Sequence, residues 1–209
     1  HLCGESYFMY WWNKEGALPC FEPVFLDGWR GWLQHRYGDI SELNRAWNTA
    51  MTDFAEVRLP TVKQRWASTA GLFRDPQNEQ WLVDFTHYGN EVVYEALHGV
   101  CHTIKHACDR RKITMVFYGY LMEMAGNWHG YGCGPVGHCA LQNVLDDPDI
   151  DYIAAPRSYS DRAPGGAIGW MGPIDSVVNS GTGWGDEIDV RTHLSPPDAG
   201  YGRCTTPDK

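Results

Sequence analysis

Two glutamates near opposite ends of the sequence have neighbours that suit catalysis. Glu5 lies in the run Cys3–Phe8, and Glu187 lies in the run Trp184–Thr192. Both runs contain glycine and aromatic residues, whereas solvated charged surfaces are seldom so aromatic. Two carboxyl groups about 5–5.5 Å apart, one protonated and one ionised, can hydrolyse a glycosidic bond with retention of configuration. Such residues come from different strand ends, so their separation in sequence is expected.

Other charged residues near these glutamates could assist the same chemistry. Glu123 follows a predicted strand, and we interpret it as a ligand for a sugar hydroxyl, with a loop salt bridge as the alternative. Asp186 and Asp189 flank Glu187, and Arg191 would keep Glu187 ionised by lowering its pKa. A surface ion cluster is the alternative interpretation of these four residues.

Several histidine and cysteine residues are candidate metal ligands. Four residues of types that suit zinc fall within eleven positions: His129, Cys133, His138 and Cys139. Their spacing matches no strong zinc motif, so no metal and no other cofactor is predicted. A metal-dependent hydrolase built on His129, Cys133 and His138 stays as an alternative. His102 and His106 lie one helical turn apart, and we interpret them as part of a helix's polar face.

Length and composition exclude several classes of protein. The 209 residues suit one domain, and 43% hydrophobic with 21% charged residues predicts a folded globule. A net charge of −9 without a Lys/Arg run argues against nucleic-acid binding. No apolar run reaches the ~18–20 residues of a membrane helix, so no membrane partner is predicted. The 10 Trp and 11 Tyr residues suggest a cleft that stacks on flat ligands.

The seven cysteines bear on the compartment. An odd number argues against a complete disulfide framework within this chain. The count therefore favours a reducing compartment, and a cytoplasmic location is the expectation.

Hydrophobic periodicity predicts helices that alternate with buried strands. A helix is expected from Asp27 to Gly38, a second capped by Asp39 or Ser41, loop or extension over 50–76, and a long helix from Pro76. Near-continuous apolar runs indicate buried parallel strands. The third predicted strand is interrupted by Gly183 and Gly185. The predicted strands and the short helices between them are Ile113–Tyr118, Ala140–Leu145, Ile150–Ala155, Pro173–Val178 and Thr182–Glu187. This alternation predicts an α/β fold with a parallel sheet.

The residues that follow each predicted strand favour a barrel over a doubly wound sheet. Polar and aromatic side chains come directly after the strands, at Tyr118–Glu123, Pro156–Tyr159 and Asp186–Glu187. Barrel enzymes keep their chemistry at the carboxyl ends of their strands. Only three or four strands can be counted, whereas a complete barrel has eight. We therefore predict a partial (β/α)8 barrel.

Three segments carry a resemblance to a known group of enzymes. Gly31–Ala50 resembles a signature of clan A glycoside hydrolases, nearest to the β-galactosidases of family 42 and their relatives. Pro148–Tyr159 is similar to the sixth strand of such barrels. Pro173–Leu194 looks like the seventh-strand segment, which carries the nucleophile in these enzymes.

The resemblance assigns roles by position. It implies that Glu5 is the general acid/base and that Glu187 is the nucleophile. It also implies that residues 1–209 are a fragment of one catalytic barrel, approximately strands four to seven. Strands one to three would then precede His1, and the eighth would be absent.

The resulting prediction is retaining hydrolysis of a β-glycosidic bond in a β-galactosidase-like enzyme. The expected substrate is an oligosaccharide or polysaccharide, and the fragment alone is expected to be inactive. A homo-oligomer of the full-length enzyme is left open. A non-catalytic carbohydrate-binding protein on the same scaffold is the alternative, and it would lack paired carboxylates. The residues expected to contact sugar are Tyr118, Glu123, His138, Tyr159 and Trp184.

Overall fold

The computed structural model describes residues 20–66, 74–121, 137–158, 166–167 and 169–187. Several predicted functional residues lie outside these ranges, namely Glu5, Glu123, His129, Cys133, Tyr159, Asp189 and Arg191. The described helices are α1 Pro23–Tyr37, α2 Ile40–Trp47, a 3-10 helix Phe54–Glu56, α3 Val62–Trp66, α4 Pro76–Ala107, α5 Leu141–Asp146 and α6 Ile174–Asn179. The strands are β1 Met115–Phe117, β2 Tyr152–Pro156 and β3 Gly183–Glu187.

The three strands form one parallel sheet in the order β1-β2-β3. Each pair of neighbouring strands is connected through a helix, α5 before β2 and α6 before β3. A parallel connection needs such a crossover, because the chain must return to the end of the sheet where it started. The predicted α/β class is therefore confirmed.

The two faces of the sheet have different environments. Val116 and Ile153 are paired in register and lie in the main hydrophobic core with the helices. Successive residues of a strand point to opposite faces, so their neighbours Met115 and Tyr152 share the other face. Met115 is 53% exposed and Tyr152 is 38% exposed. We call the face that carries Met115 and Tyr152 the open face.

Glycines in β3 leave little side-chain bulk on the open face. A Cβ atom at Gly183 would lie 2.3 Å from the Tyr152 ring, so this ring needs the glycine. A Cβ at Gly185 would lie 3.3 Å from both Met115 Sδ and Ala154 Cβ. The side chains of Tyr152, Met115 and Ala154 therefore occupy the space beside the two glycines.

Aromatic side chains fill the core between the helices. Trp29 is buried and stacks on Trp32 and Trp47, with ring centroids 5.5 Å and 6.0 Å away. Phe85 meets the Trp29 ring edge-on at 5.7 Å. These three tryptophans thus serve helix packing, and the stacking cleft stays a prediction.

One buried carboxylate joins three helices. Asp84 of α4 is fully buried and accepts hydrogen bonds from Tyr37 Oη at 2.5 Å, Trp47 Nε1 at 2.7 Å and Gln80 Nε2 at 2.8 Å. Arg36 Nε lies 3.4 Å from the same side chain. Burial and the Asp84 carboxylate raise the pKa of Tyr37 to about 12. Three residues of the Gly31–Ala50 signature therefore converge on one acceptor, the Asp84 network.

Two local predictions differ from the structure. Helix α1 begins at Pro23, not near Asp27, because proline at the first helical position has the φ angle that a helix needs. Helix α3 forms where loop or extension is expected. Thr61 N–H donates to Gln64 Oε1 at 2.9 Å, and Gln64 N–H donates to Thr61 Oγ1 at 3.3 Å. This reciprocal capping box starts the helix.

Ion pairs hold the end of α4 against the start of β2. Lys105 is buried and its Nζ lies 2.5 Å from Asp151 Oδ2, while Arg110 Nη1 lies 2.5 Å from Asp149 Oδ1. These contacts lie at the amino ends of the strands, away from the end where Glu187 lies. In the described part of the chain, no helix combines the length and apolar character that crossing a membrane requires.

Candidate active site

Glu187 is the last residue of β3 and lies at the carboxyl end of the parallel sheet. Its register partner in β2 is Pro156. It lies two residues after Gly185 and four after Gly183, so it shares the open face with them. The side chain is half-buried. The structure thus places this predicted nucleophile where parallel α/β enzymes hold catalytic groups.

An ion pair fixes the neighbouring residue of β3. Arg157 Nε lies 2.6 Å from Asp186 Oδ2, and the guanidinium group lies 4.1 Å from the centre of the Trp170 ring. Arg157 and Trp170 also form an antiparallel backbone bridge. The carboxyl ends of β2 and β3 are therefore joined by a charged pair stacked on an aromatic ring, next to Glu187.

Trp184 belongs to the face of β3 that lies opposite Glu187. The two residues are three positions apart, and strand side chains alternate. The Trp184 ring meets Trp170 edge-on at 6.4 Å and packs against the core. Within the described ranges, its buried Nε1 atom has no hydrogen-bond partner. This position favours a role in packing β3 against the core. A sugar contact by Trp184 stays a prediction.

Tyr118 and His138 lie together after β1. Both are fully buried, and their rings are 4.5 Å apart. The Tyr118 hydroxyl donates to Gly137 O at 3.0 Å and accepts from Ala140 N–H at 3.2 Å. Burial raises the pKa of Tyr118 far above its ordinary value. Its hydroxyl is thus engaged in holding residues 137–140, which favours a positioning role over direct contact with sugar.

The ring nitrogen contacts of His138 define its tautomer. The backbone N–H of Tyr120 donates to His138 Nδ1 at 3.2 Å. Because Nδ1 accepts this bond, a neutral imidazole carries its proton on Nε2. We therefore expect His138 to act as a donor through Nε2.

A small buried cluster lies between the segment after β1, strand β2 and strand β3. Tyr120, Ala155 and Met171 are buried together, and Trp184 packs against them. Tyr120 also meets the His138 ring edge-on at 4.9 Å. Tyr120 thus contacts His138 and belongs to the cluster against which Trp184 packs. The distance that matters most, from Glu5 to Glu187, involves a residue outside the described ranges.

Neither Arg157 nor Trp170 is among the predicted site residues, although Arg157 lies in the polar run Pro156–Tyr159 after β2. One sequence signal could have indicated the ion pair of Arg157 with Asp186. Arg157 directly follows β2, and Asp186 is the second-last residue of β3. Opposite charges at the carboxyl ends of neighbouring parallel strands are expected to meet. Nothing local marks Trp170 as their aromatic partner.

Gly172 provides a test of this packing. A Cβ atom there would lie 2.6 Å from Trp184 Cη2 and 3.2 Å from the carbonyl oxygen of Gly119. We expect Gly172→Ala to lower the free energy of unfolding by about 1–3 kcal/mol, because the ring and backbone must shift. Urea denaturation measures the change.

Gly31→Ala is the matched control for this test. Gly31 lies within α1, and a Cβ there would have no heavy atom within 4 Å. Alanine favours a helix interior, so this variant should gain up to ~1 kcal/mol. Equal denaturation midpoints for the two variants would contradict the packing described here.

These features place a candidate site at the carboxyl end of a parallel α/β sheet, and a family model gives the class of protein. The model for glycoside hydrolase family 42, described as beta-galactosidase, matches residues 8–131, more than half of the chain. The chain belongs to this family. The matched region runs through β1 and contains neither Glu5 nor Glu187.

Individual relatives match over a shorter stretch. Beta-galactosidase BgaA of Thermus sp is 44% identical over 50 residues, which are 22% of this chain and 8% of that protein. A beta-galactosidase of Thermus thermophilus is 48% identical over 49 residues, 21% of this chain and 8% of that protein. A thermophilic beta-amylase of Thermoanaerobacterium thermosulfurigenes is 33% identical over 46 residues, 22% of this chain and 8% of that protein. The matches thus span less than a tenth of each relative.

A solved structure is similar over most of the chain. The catalytic domain of beta-amylase from Paenibacillus polymyxa superposes with a TM-score of 0.58 at 15% sequence identity. The alignment covers 88% of this chain and 48% of that domain's chain. That domain is a (β/α)8 barrel, so the prediction of a partial barrel is confirmed.

Proposed function

We propose that this chain forms part of the catalytic barrel of a β-galactosidase-like enzyme that cleaves β-glycosidic bonds with retention of configuration. The observation that carries the proposal is the position of Glu187, half-buried at the carboxyl end of β3 on the open face. Membership of family 42 supports the glycosidase class. The galactoside substrate and the retaining mechanism belong to the proposal.

In this mechanism Glu187 is the nucleophile. Its carboxylate oxygen forms a bond to the anomeric carbon as the glycosidic bond breaks, and Glu5 gives its proton to the departing oxygen. Glu5 then takes a proton from water, whose oxygen bonds to the anomeric carbon and releases Glu187. Glu5 must hold its proton near neutral pH, which requires a pKa raised by burial or by the Glu187 charge.

The described surroundings of Glu187 support its role as an ionised group. The neighbouring carboxylate, Asp186, has a cationic partner in Arg157. Pairing offsets its negative charge, so repulsion between two adjacent carboxylates is reduced. Arg191, outside the described ranges, is proposed as the cation that keeps Glu187 ionised.

Five residues are proposed to contact the substrate. His138 is held in place by the Tyr120 N–H, which donates to its Nδ1, and we propose it as one of the sugar contacts. The other proposed sugar contacts are Tyr118, Glu123, Tyr159 and Trp184. We expect the substrate to be an oligosaccharide or polysaccharide, since flat aromatic faces and hydroxyl-binding groups together suit sugars.

The stereochemistry of hydrolysis tests the mechanism. We would incubate the full-length protein that contains this chain with an aryl β-galactoside and record proton NMR spectra before mutarotation. A retaining enzyme should release β-galactose first. First release of the α anomer contradicts the retaining mechanism, and binding without turnover contradicts the enzyme assignment in favour of a carbohydrate-binding protein.

A further inference from the structure

Three histidines form a row along α4, at the end of the molecule away from Glu187. His98, His102 and His106 are spaced by four residues, so they lie one above another on one helix face. The side chains of His98 and His102 are 37% and 49% exposed. Ring centroids are 5.5 Å apart for His98 and His102, and 4.2 Å apart for His102 and His106.

Two buried carboxylates orient the first two rings. His98 Nδ1 lies 2.8 Å from Asp147 Oδ2, and His102 Nδ1 lies 2.7 Å from Asp149 Oδ2. A carboxylate accepts, so each neutral ring carries its proton on Nδ1 and its lone pair on Nε2. Metal-binding histidines generally donate their second ring nitrogen to a carboxylate in this way, which fixes the ring and raises its basicity.

The carboxylates themselves are engaged elsewhere. Asp147 Oδ1 accepts from the Asp149 N–H at 2.8 Å, and Asp149 Oδ1 lies 2.5 Å from Arg110 Nη1. Candidate ligand atoms of His98, Asp147 and Asp149 do lie within 4.8 Å of one another. An ion among them would have to displace these bonds and approach the Arg110 charge. An ion bound to the Nε2 atoms of the histidines would leave all of these hydrogen bonds intact.

We propose that His98 and His102 bind a divalent transition-metal ion of the Zn²⁺, Ni²⁺ or Cu²⁺ class through their Nε2 atoms. Two imidazoles on one ion at about 2.0–2.1 Å place their ring centroids roughly 4.5–5.2 Å apart. The observed 5.5 Å needs only a small side-chain adjustment. Water completes the coordination on the solvent side.

His106 belongs to the same row but not to this site. It lies eight residues from His98, which is about 12 Å along a helix, so both cannot bind one ion. In the pair His102 and His106, only His102 contacts a carboxylate within the described part of the chain. Orientation by two carboxylates therefore selects His98 and His102.

The ion would stabilise the packing of α4 against the start of β2. A cation on Nε2 makes the Nδ1 proton more acidic, which strengthens its hydrogen bond to the carboxylate. Asp147 and Asp149 lie in the turn that leads into β2. Because an ion that binds only the folded state raises its stability, thermal unfolding should shift upward with the metal.

Calorimetric titration of the untagged full-length protein that contains this chain with ZnCl₂ tests the proposal. A pH near ~8 lies well above the ordinary pKa of histidine, which favours neutral rings with the lone pair on Nε2. The test variants are His98→Asn and His102→Asn, because the asparagine amide keeps a donor near the Nδ1 position and removes Nε2. His106→Asn is the matched control. We expect wild type and control to bind one more zinc equivalent than either test variant, and to show a zinc-dependent rise in Tm that both test variants lack.

Each other result would contradict the site. Retention of the equivalent and of the Tm shift in His98→Asn or His102→Asn would overturn the proposal. Loss in His106→Asn with retention in His98→Asn would move the ion to the other pair. Loss in Asp147→Asn with retention in His102→Asn would assign direct carboxylate ligation. The remaining histidines and cysteines bind zinc equally in all variants. The site is therefore measured by the difference in zinc equivalents between the variants.

Discussion

Replacing Glu187 by alanine in the full-length protein is expected to lower kcat/KM for an aryl β-galactoside by at least about 10³-fold, since loss of a group that forms the covalent intermediate should match or exceed a typical general acid–base contribution. Sodium azide should partly restore turnover, because the small anion can enter the space left by the carboxylate. Azide then attacks the anomeric carbon from the Glu187 side and gives the α-galactosyl azide. Steady-state kinetics and NMR of the product measure both effects.

A carboxylate outside the site provides the control. Asp175 is exposed on α6, and Asp175→Ala should leave kcat/KM unchanged. Full activity of Glu187→Ala would remove Glu187 from the mechanism. A β-galactosyl azide product would instead assign Glu187 as the acid/base, because the nucleophile on the opposite side would still be present.

The second large effect concerns stability. Asp84→Ala should lower the free energy of unfolding by about 3 kcal/mol, because Tyr37 Oη and Trp47 Nε1 each lose their acceptor, at ~1–3 kcal/mol for a buried unsatisfied donor. Arg36 is 42% exposed and can turn to water, so it adds little. Urea denaturation followed by tryptophan fluorescence measures the change.

The same helix offers the control for this prediction. Glu95 is exposed on α4, and Glu95→Ala should change stability by less than about 0.5 kcal/mol. Asp84→Asn should fall between the two, since the amide oxygen still accepts but the amide nitrogen faces donors. An Asp84→Ala variant as stable as wild type would show that the Asp84 network is not a stabilising junction.

Local sequence signals predicted the elements that have strong periodicity or caps. The start of α2 follows from Asp39, whose carboxylate accepts from the N–H groups of Ser41 and Glu42. Helix α4 begins at Pro76 as expected. Helix α3 was missed because it has only five residues, too few for periodicity, although Thr61 and Gln64 carry its capping signal.

The sequence predicted which site residues lie at the ends of strands. It did not predict on which face of the sheet their side chains lie. Glu187 lies at a carboxyl strand end, as predicted. Trp184 is three residues earlier, so strand alternation separates the two side chains. Tyr118 follows Val116 by two residues and shares its buried face. A periodicity of two would have placed Trp184 on the face opposite Glu187 and Tyr118 on the buried face of Val116.

The Asp84 network lies beyond such reasoning. Asp84 is a charged residue within a helix, and nothing near it in sequence indicates full burial. Its donors come from positions 36, 37 and 47, on two other helices. Only the crossing of these helices creates the acceptor site, so local pattern cannot reveal it.

The two glycines of β3 have a consequence for the order of folding. Glycine has low intrinsic preference for an extended strand and loses much backbone entropy when it is fixed. The segment Gly183–Glu187 therefore has little tendency to straighten until β2 offers its ladder of hydrogen bonds. We expect β3 to be fixed after β1 and β2 have paired. The carboxylate of Glu187 is then among the last groups to reach its native place, and partly folded forms of the protein should carry no assembled site.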